Sequence, residues 1–221
     1  MRFVFASNNA HKLAEVRAIM PADIEVLSLK DIGFEQEIEE NGTTLEENSA
    51  IKAEAVYQFI KGNASMNDER GIDGIFADDT GLEIDALEGR PGVYTARWYL
   101  RKENGKSTEE NPKLTDEREI FRANRSKALR ELEGKSDRGA QFRTVITLIQ
   151  LSAGCQPSVT QVEGVVRGRI AETEYGQGGF GYDPVFIPEG YDKTFGELPA
   201  EIKNGISHRA RALANLVEIL R

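Results

Sequence analysis

Residues 76–85 read FADDTGLEID, an apolar run that ends in Asp78 and Asp79 before Thr80 and Gly81. Adjacent carboxylates at a strand end can seat a divalent cation and the water it activates, or can simply face solvent in a turn. A second acidic pair, Glu39 and Glu40, lies in the stretch EQEIEENG. Charge runs of that kind usually face water. Mg2+, however, takes only one or two carboxylates and leaves room for substrate phosphates, so one acid from the loop and one from the strand end would meet its minimum. In open α/β sheets ligands gather outside the carboxyl ends of strands, where ADDTG is expected to fall.

Three further stretches carry groups that suit an anionic, flat ligand. SNNAHK, residues 7–12, follows an apolar run and opens a helical pattern. Unpaired backbone N–H groups and the dipole at a helix start favour an anion, and Lys12 adds a charge. The simpler reading is that Ser7 or Asn9 caps the helix. GQGGFGYDPVF, residues 176–186, surrounds Phe180 and Tyr182 with glycines and ends in Asp183-Pro184. Glycine permits close backbone approach, and an aromatic ring there can stack on a base, although a plain glycine-rich turn has the same composition. KNGISHRARAL brings Lys203, Ser207, His208 and Arg209 to the start of a last helix, as a cationic site or as surface charge.

These groups need a scaffold, and the chain alternates strand and helix patterns throughout. Strands are expected at 2–6, 24–27, 74–77, 82–87, 141–151 and 160–170. Helices are expected at about 12–20, 45–61, 116–133 and 206–220 from apolar residues spaced three and four apart. Thr44 precedes the long second helix, Asp31 sits where it can cap a short turn, and GRPG at 89–92 and AGCQPS at 153–158 mark turns. Polar stretches at 63–73 and 101–118 read as loops. The mixture predicts an α/β fold with a mixed sheet, in a single domain spanning 1–221.

Composition narrows the function. With 221 residues, 39% of them hydrophobic, the chain can bury a sizeable core. A net charge of −9 disfavours a nucleic-acid surface. One cysteine, Cys155, excludes an internal disulfide framework, and two histidines with it do not make a structural zinc site, so any metal is held by oxygen. MRFVFASNN lacks the long apolar core of a signal peptide, and no later stretch approaches a membrane span, which places the expected site of action in the cytoplasm.

Taken in order, ASNNAHKLAEV, ENGTTLEENSAIKA, FADDTGLEIDALEGRPGVYTARW, GGFGYDPVF and KNGISHRARAL resemble the inosine triphosphate pyrophosphatase (Ham1/RdgB-like) family over nearly the whole chain. Ala10-His11 stands where glycine often precedes the lysine, and the loops at 63–73 and 101–118 look extended. The resemblance implies an elongated two-lobed α/β fold, a mixed central sheet flanked by helices and a substrate cleft between the lobes, in a homodimer. It implies hydrolysis of ITP, dITP and XTP to the monophosphate and pyrophosphate. By motif, Ser7, Asn8, Asn9, Lys12, Lys52 and Lys203 hold phosphates; Glu39 and Asp79 bind Mg2+; and Asp79 is the general base with Asp78 as its support. Thr80 and Gly181 accompany those motifs, Phe180 stacks on the base, and Tyr182, Asp183 and His208 shape its pocket. Arg209, a donor-only group, would donate to a purine 6-carbonyl and reject the 6-amino group of adenine. The competing readings are a nucleotide-binding regulatory module without turnover and a Maf-like pyrophosphatase of other modified nucleotides.

Overall fold

The computed structural model describes residues 1–63, 71–101, 114–151 and 156–221. Most of the expected loops at 63–73 and 101–118, and half of the turn at 153–158, Cys155 included, lie outside those residues. Among the described residues seven strands form one mixed sheet: β1 (Arg2–Phe5), β2 (Glu25–Leu27), β3 (Gly74–Ile84), β4 (Pro91–Gly92), β5 (Gly139–Gln150), β6 (Ser158–Ile170) and β7 (Phe186–Pro188). Their order is β2-β1-β3-β5-β6-β7, with β4 paired to β3. The helices are α1 (Ala10–Ile19), α2 (Leu45–Gly62), α3 (Glu117–Glu131), α4 (Ala200–Ile206) and α5 (His208–Leu220). Among the described residues no helix is long and apolar enough to cross a membrane.

The chain divides into two compact units, the first made of Met1–Asp79, Thr144–Gly164 and Ser207–Arg221. Here β1 pairs in parallel with β2 (Phe3 opposite Val26) and with β3 (Val4 opposite Ile75). Parallel strands are buried on both faces, and alternate side chains feed two cores. Phe3, Phe5 and Phe76 pack with Val16 and Met20 of the α1 segment and Leu213 and Leu216 of α5. Val4, Ala6, Ile75 and Ala77 pack with Ala53, Val56 and Ile60 of α2.

The second unit comprises Thr80–Arg143 and Val165–Ile206. Leu82, Ile84, Trp98, Ala128, Phe142, Val166, Phe186 and Phe195 form its core. Within it β4 runs antiparallel to the end of β3 and β7 antiparallel to the end of β6.

Two sequence-based expectations change. The strands at 74–77 and 82–87 are one strand, β3, and Thr80-Gly81 does not break it; only Asp85–Leu87 leaves it, as a 3-10 turn. Pairing to β4 at Leu82 and Glu83 holds the backbone extended past the glycine, so tertiary contact overrides local preference. Asp78 and Asp79 therefore lie inside a strand, not at its end. The last helix starts at His208, and a separate helix, α4, precedes it: Ser207 is extended (φ −65°, ψ 159°) and accepts a hydrogen bond from Ala210 N, which starts α5 anew after α4.

The start of α5 is set by a close backbone approach to β6. A Cβ at Gly164 would lie 2.2 Å from both Ala212 N and His208 O. Those atoms belong to helix backbone and cannot swing aside. Gly164→Ala is expected to lower unfolding free energy by about 1–3 kcal/mol, as overpacking does, read by urea denaturation; an unchanged midpoint would show that α5 is free to move off the strand.

Candidate active site

Because successive strand residues point to opposite faces, Asp78 follows Phe76 toward α1 and α5, while Asp79 follows Ala77 toward α2. Each acid finds its own cations there. The Asp78 carboxylate, 1% exposed, accepts from Lys12 Nζ at 2.9 Å and from Arg209 Nε at 3.1 Å. Arg209 is equally buried and its Nη1 donates to Glu15 of α1. Burial pushes the Asp78 carboxyl up, but Lys12, Arg209 and Lys52 together hold it well below the usual carboxylate range. Burial lowers the Lys12 pKa, and attraction to Asp78 does not fully offset that and the repulsion from Lys52 and Arg209. Arg209 is shifted the other way: burial lowers its pKa, and Asp78 and Glu15 raise it by more.

The turn that delivers Lys12 is closed on itself. Ser7 Oγ accepts from Asn9 N at 3.3 Å, and Asn9 Oδ1 accepts from Lys12 N at 3.0 Å, capping α1. Asn8 is exposed. The capping role of Asn9 is thus present in the structure, whatever else the turn binds.

On the other face, α2 begins with a capping box in which Thr44 Oγ1 accepts from Glu47 N while Glu47 reaches back to Thr44 N. One turn apart on this helix, Asn48 and Lys52 meet Asp79: Asn48 Nδ2 donates to Oδ2 and Lys52 Nζ to Oδ1, each at 3.3 Å. Lys52 Nζ also lies 2.8 Å from Glu40 Oε2. Burial raises the Asp79 pKa; Lys52 and Lys12 oppose this, Glu40 and Asp78 reinforce it, and the balance is upward. Lys52 loses affinity for its proton through burial but gains more from Asp79, Glu40 and Asp78, so it stays an ammonium.

The two loop acids differ in their surroundings. Glu39 is exposed and forms no ion pair among the described residues, whereas the half-buried Glu40 shares Lys52 with Asp79. The pleat turns the Asp78 and Asp79 carboxylates to different faces of the strand. Arg209, expected to meet a purine carbonyl, is held by Asp78 and Glu15, and His208 beside it is buried at the first position of α5.

The second unit collects another group. The Asp183 carboxylate accepts from Phe180 N and from Lys203 Nζ, both at 2.7 Å. Gly179 has φ +71°, and a Cβ there would lie 2.0 Å from Asp183 Oδ2, so the turn requires glycine. Lys203 Nζ lies 4.9 Å from the centre of the Phe180 ring. Lys203 thus lies against the Asp183 carboxylate and the Phe180 ring within this unit. Tyr182 belongs to the core, 4% exposed, with its hydroxyl donating to Thr95 O. Gly181 offers its carbonyl to Arg125 Nη1 at 2.8 Å. Thr80, half-buried, opens this unit directly after Asp79.

Asn48, Glu15, Glu40's pairing and Arg125 escape sequence reading because each acts through a contact made across the fold. The one local signal is spacing: Asn48 and Lys52 are four apart on a helix and so share a face. The first unit thus offers two carboxylates around one ammonium, Glu40 and Asp79, beside a second buried acid held by two cations. Such a set can bind polyphosphate oxygen and place a base near it.

The Ham1 family model matches residues 3–219 of the chain. The chain is similar to the dITP/XTP pyrophosphatase of Flavobacterium johnsoniae, 43% identical over 100% of this chain and 98% of that protein. It is similar to the dITP/XTP pyrophosphatase of Bacillus subtilis, 41% identical over 98% and 96%. Among solved structures, the Staphylococcus aureus Ham1 protein matches with a TM-score of 0.76 and 34% identity, over 100% of this chain and 98% of that one.

Removing the Asp78 charge leaves the half-buried Lys12 and the buried Arg209 without their shared carboxylate. Asp78→Asn is expected to cost about 3–5 kcal/mol of stability. The folded pKa of Asp78 is depressed, so its contribution is complete above the ordinary aspartate value, about 3.9, and is lost as pH falls below it. Urea melts from pH 6 to 3 should show a shallower acid loss in the variant than in wild type; equal slopes would mean that Asp78 is not the group being titrated.

Proposed function

The chain belongs to the Ham1 family, and we propose that it hydrolyses deaminated purine nucleoside triphosphates, dITP, XTP and ITP, to the monophosphate and pyrophosphate. The structural observation that carries the reading is the pair of carboxylates, Glu40 and Asp79, gathered around one ammonium at Lys52. A module that only binds nucleotide would need the lysines but not this acid pair. A net charge of −9 and buried cations suit a small polyanion better than a nucleic acid.

A divalent cation fits these residues. Glu40 and Asp79 already share one cation, the Lys52 ammonium, and both offer oxygen. Mg2+ takes few carboxylates and completes its shell with phosphate and water. Glu40 and Asp79 would hold it. When bound, Mg2+ supplies charge neutralisation at the phosphates.

The remaining steps are the work of the chain itself. Lys12 and Lys52 carry positive charge to the phosphate oxygens, and the turn of Ser7, Asn8 and Asn9 lies where α1 begins. Asp79, with its proton affinity raised by burial, accepts a proton from the attacking water. Phe180 offers the ring that stacks on the base, with Lys203 and Asp183 fixing its turn. Arg209, with its Nε on Asp78 and an Nη1 hydrogen on Glu15, is the donor that reads the purine 6-carbonyl. We extend the reading to a homodimer acting in the cytoplasm to clear the nucleotide pool, as the family likeness implies.

The test is product analysis with dITP, XTP, ITP, ATP and GTP, with Mg2+ and with chelator. Pyrophosphate from the first three, dependent on the metal, is expected; orthophosphate as first product would overturn the bond assignment. Asp79→Asn and Glu40→Gln should each lower kcat by at least ~100-fold, and Glu39→Gln by less than about twofold. The reverse ranking of the two glutamates would return the loop ligand to Glu39.

A further inference from the structure

Asn48 is fully buried in the first turn of α2 and is not the cap of that helix, a position filled by Thr44. Its side chain makes two hydrogen bonds of opposite sense. Oδ1 accepts from Gly42 N at 2.9 Å, and Nδ2 donates to Asp79 Oδ2 at 3.3 Å. The orientation of the amide is fixed by its partners, since a backbone N–H can only donate and an ionised carboxylate can only accept. No hydroxyl, carboxylate or apolar side chain of this size supplies both functions in these directions.

The loop carrying Glu40 comes close to α2 at the same place. A Cβ on Gly42 would lie 2.6 Å from Asn48 Oδ1 and 2.7 Å from Glu47 Cβ. Loop and strand are therefore each attached to the helix twice: Gly42 and Glu40 to Asn48 and Lys52, and the two oxygens of Asp79 to the same pair. The two attachments differ in kind. Lys52 supplies charge at the end of a flexible four-carbon stem, whereas Asn48 is short and has few rotamers.

We propose that Asn48 is a positioning residue whose amide sets the Asp79 carboxylate and the acidic loop at Gly42 together, so that Glu40 and Asp79 face one another in a fixed arrangement. This rests on the hydrolytic reading above, in which those two acids work as a pair. Partners that orient acids of this kind are worth roughly 10- to 100-fold in activity.

Two substitutions separate the halves of the link. Asn48→Asp keeps an oxygen for Gly42 N–H but presents an acceptor to Asp79; Asn48→Ala removes both bonds. Turnover of dITP is measured per folded molecule, the folded fraction coming from thermal melts, alongside hydrogen exchange of the Gly42 amide. The expected result for Asn48→Asp is a kcat lower by about 10- to 100-fold with KM within about threefold, and Gly42 still protected. For Asn48→Ala, Gly42 protection falls at least about tenfold and kcat drops at least as far. A kcat within about twofold of wild type in Asn48→Asp, activity losses that only follow the unfolded fraction, or unchanged Gly42 exchange in Asn48→Ala would each overturn the proposal. Absence of pyrophosphate release by the wild-type protein would sink the hydrolytic reading, while the exchange measurement would still decide whether Asn48 holds the loop.

Discussion

The alternation of side chains along β3 is the constraint from which the arrangement of the first unit follows. Two adjacent aspartates in a turn would repel and compete for the same solvent. In an extended strand buried on both faces they are turned apart, and each must find cations on its own side. Asp78 meets Lys12 and Arg209, and Asp79 meets Lys52 with Asn48. A strand core that tolerates two neighbouring acids therefore obliges α1, α5 and α2 each to deliver a polar group at its first turns, and all three do.

The two acids differ in chemistry because their surroundings differ. Both are desolvated, which favours the neutral form of each. Asp78 has two cations in direct contact and stays ionised; Asp79 shares its ammonium with Glu40 and keeps a raised proton affinity. Pushing two carboxylates of one motif in opposite directions divides labour: one becomes a fixed counter-charge that locks helices to the sheet, and the other stays able to take a proton. The second unit repeats the device on a smaller scale, with Asp183 gathering a backbone N–H and Lys203 so that a glycine turn holds Phe180 in place.

Much of this was legible beforehand. The strand–helix alternation, Thr44 as a cap, the long apolar face of α2 and the identity of Lys12, Lys52, Asp78 and Asp79 as chemical groups all follow from local rules of spacing and residue type. What was not legible shares one origin. Thr80-Gly81 looks like a break because local preference says so, yet pairing with β4 keeps the strand going. Glu39 and Glu40 are indistinguishable as letters, and Lys203 looks like any lysine near a helix start. Neither case can be resolved without knowing which cation or ring lies opposite.

What the amino-acid sequence determined by itself is most of the longer secondary elements, the sign and type of each polar group and, through five ordered motifs, the family. Those are properties of single residues and of short periodicities, carried by backbone sterics and hydrogen-bond preference. What only the tertiary structure decided is which acid pairs with which cation: Glu40 over Glu39, Arg209 with Asp78 and Glu15, Asn48 between Gly42 and Asp79. These pairings join residues up to 194 positions apart, and the energy of a buried charge depends on a few ångströms of separation that no local pattern encodes.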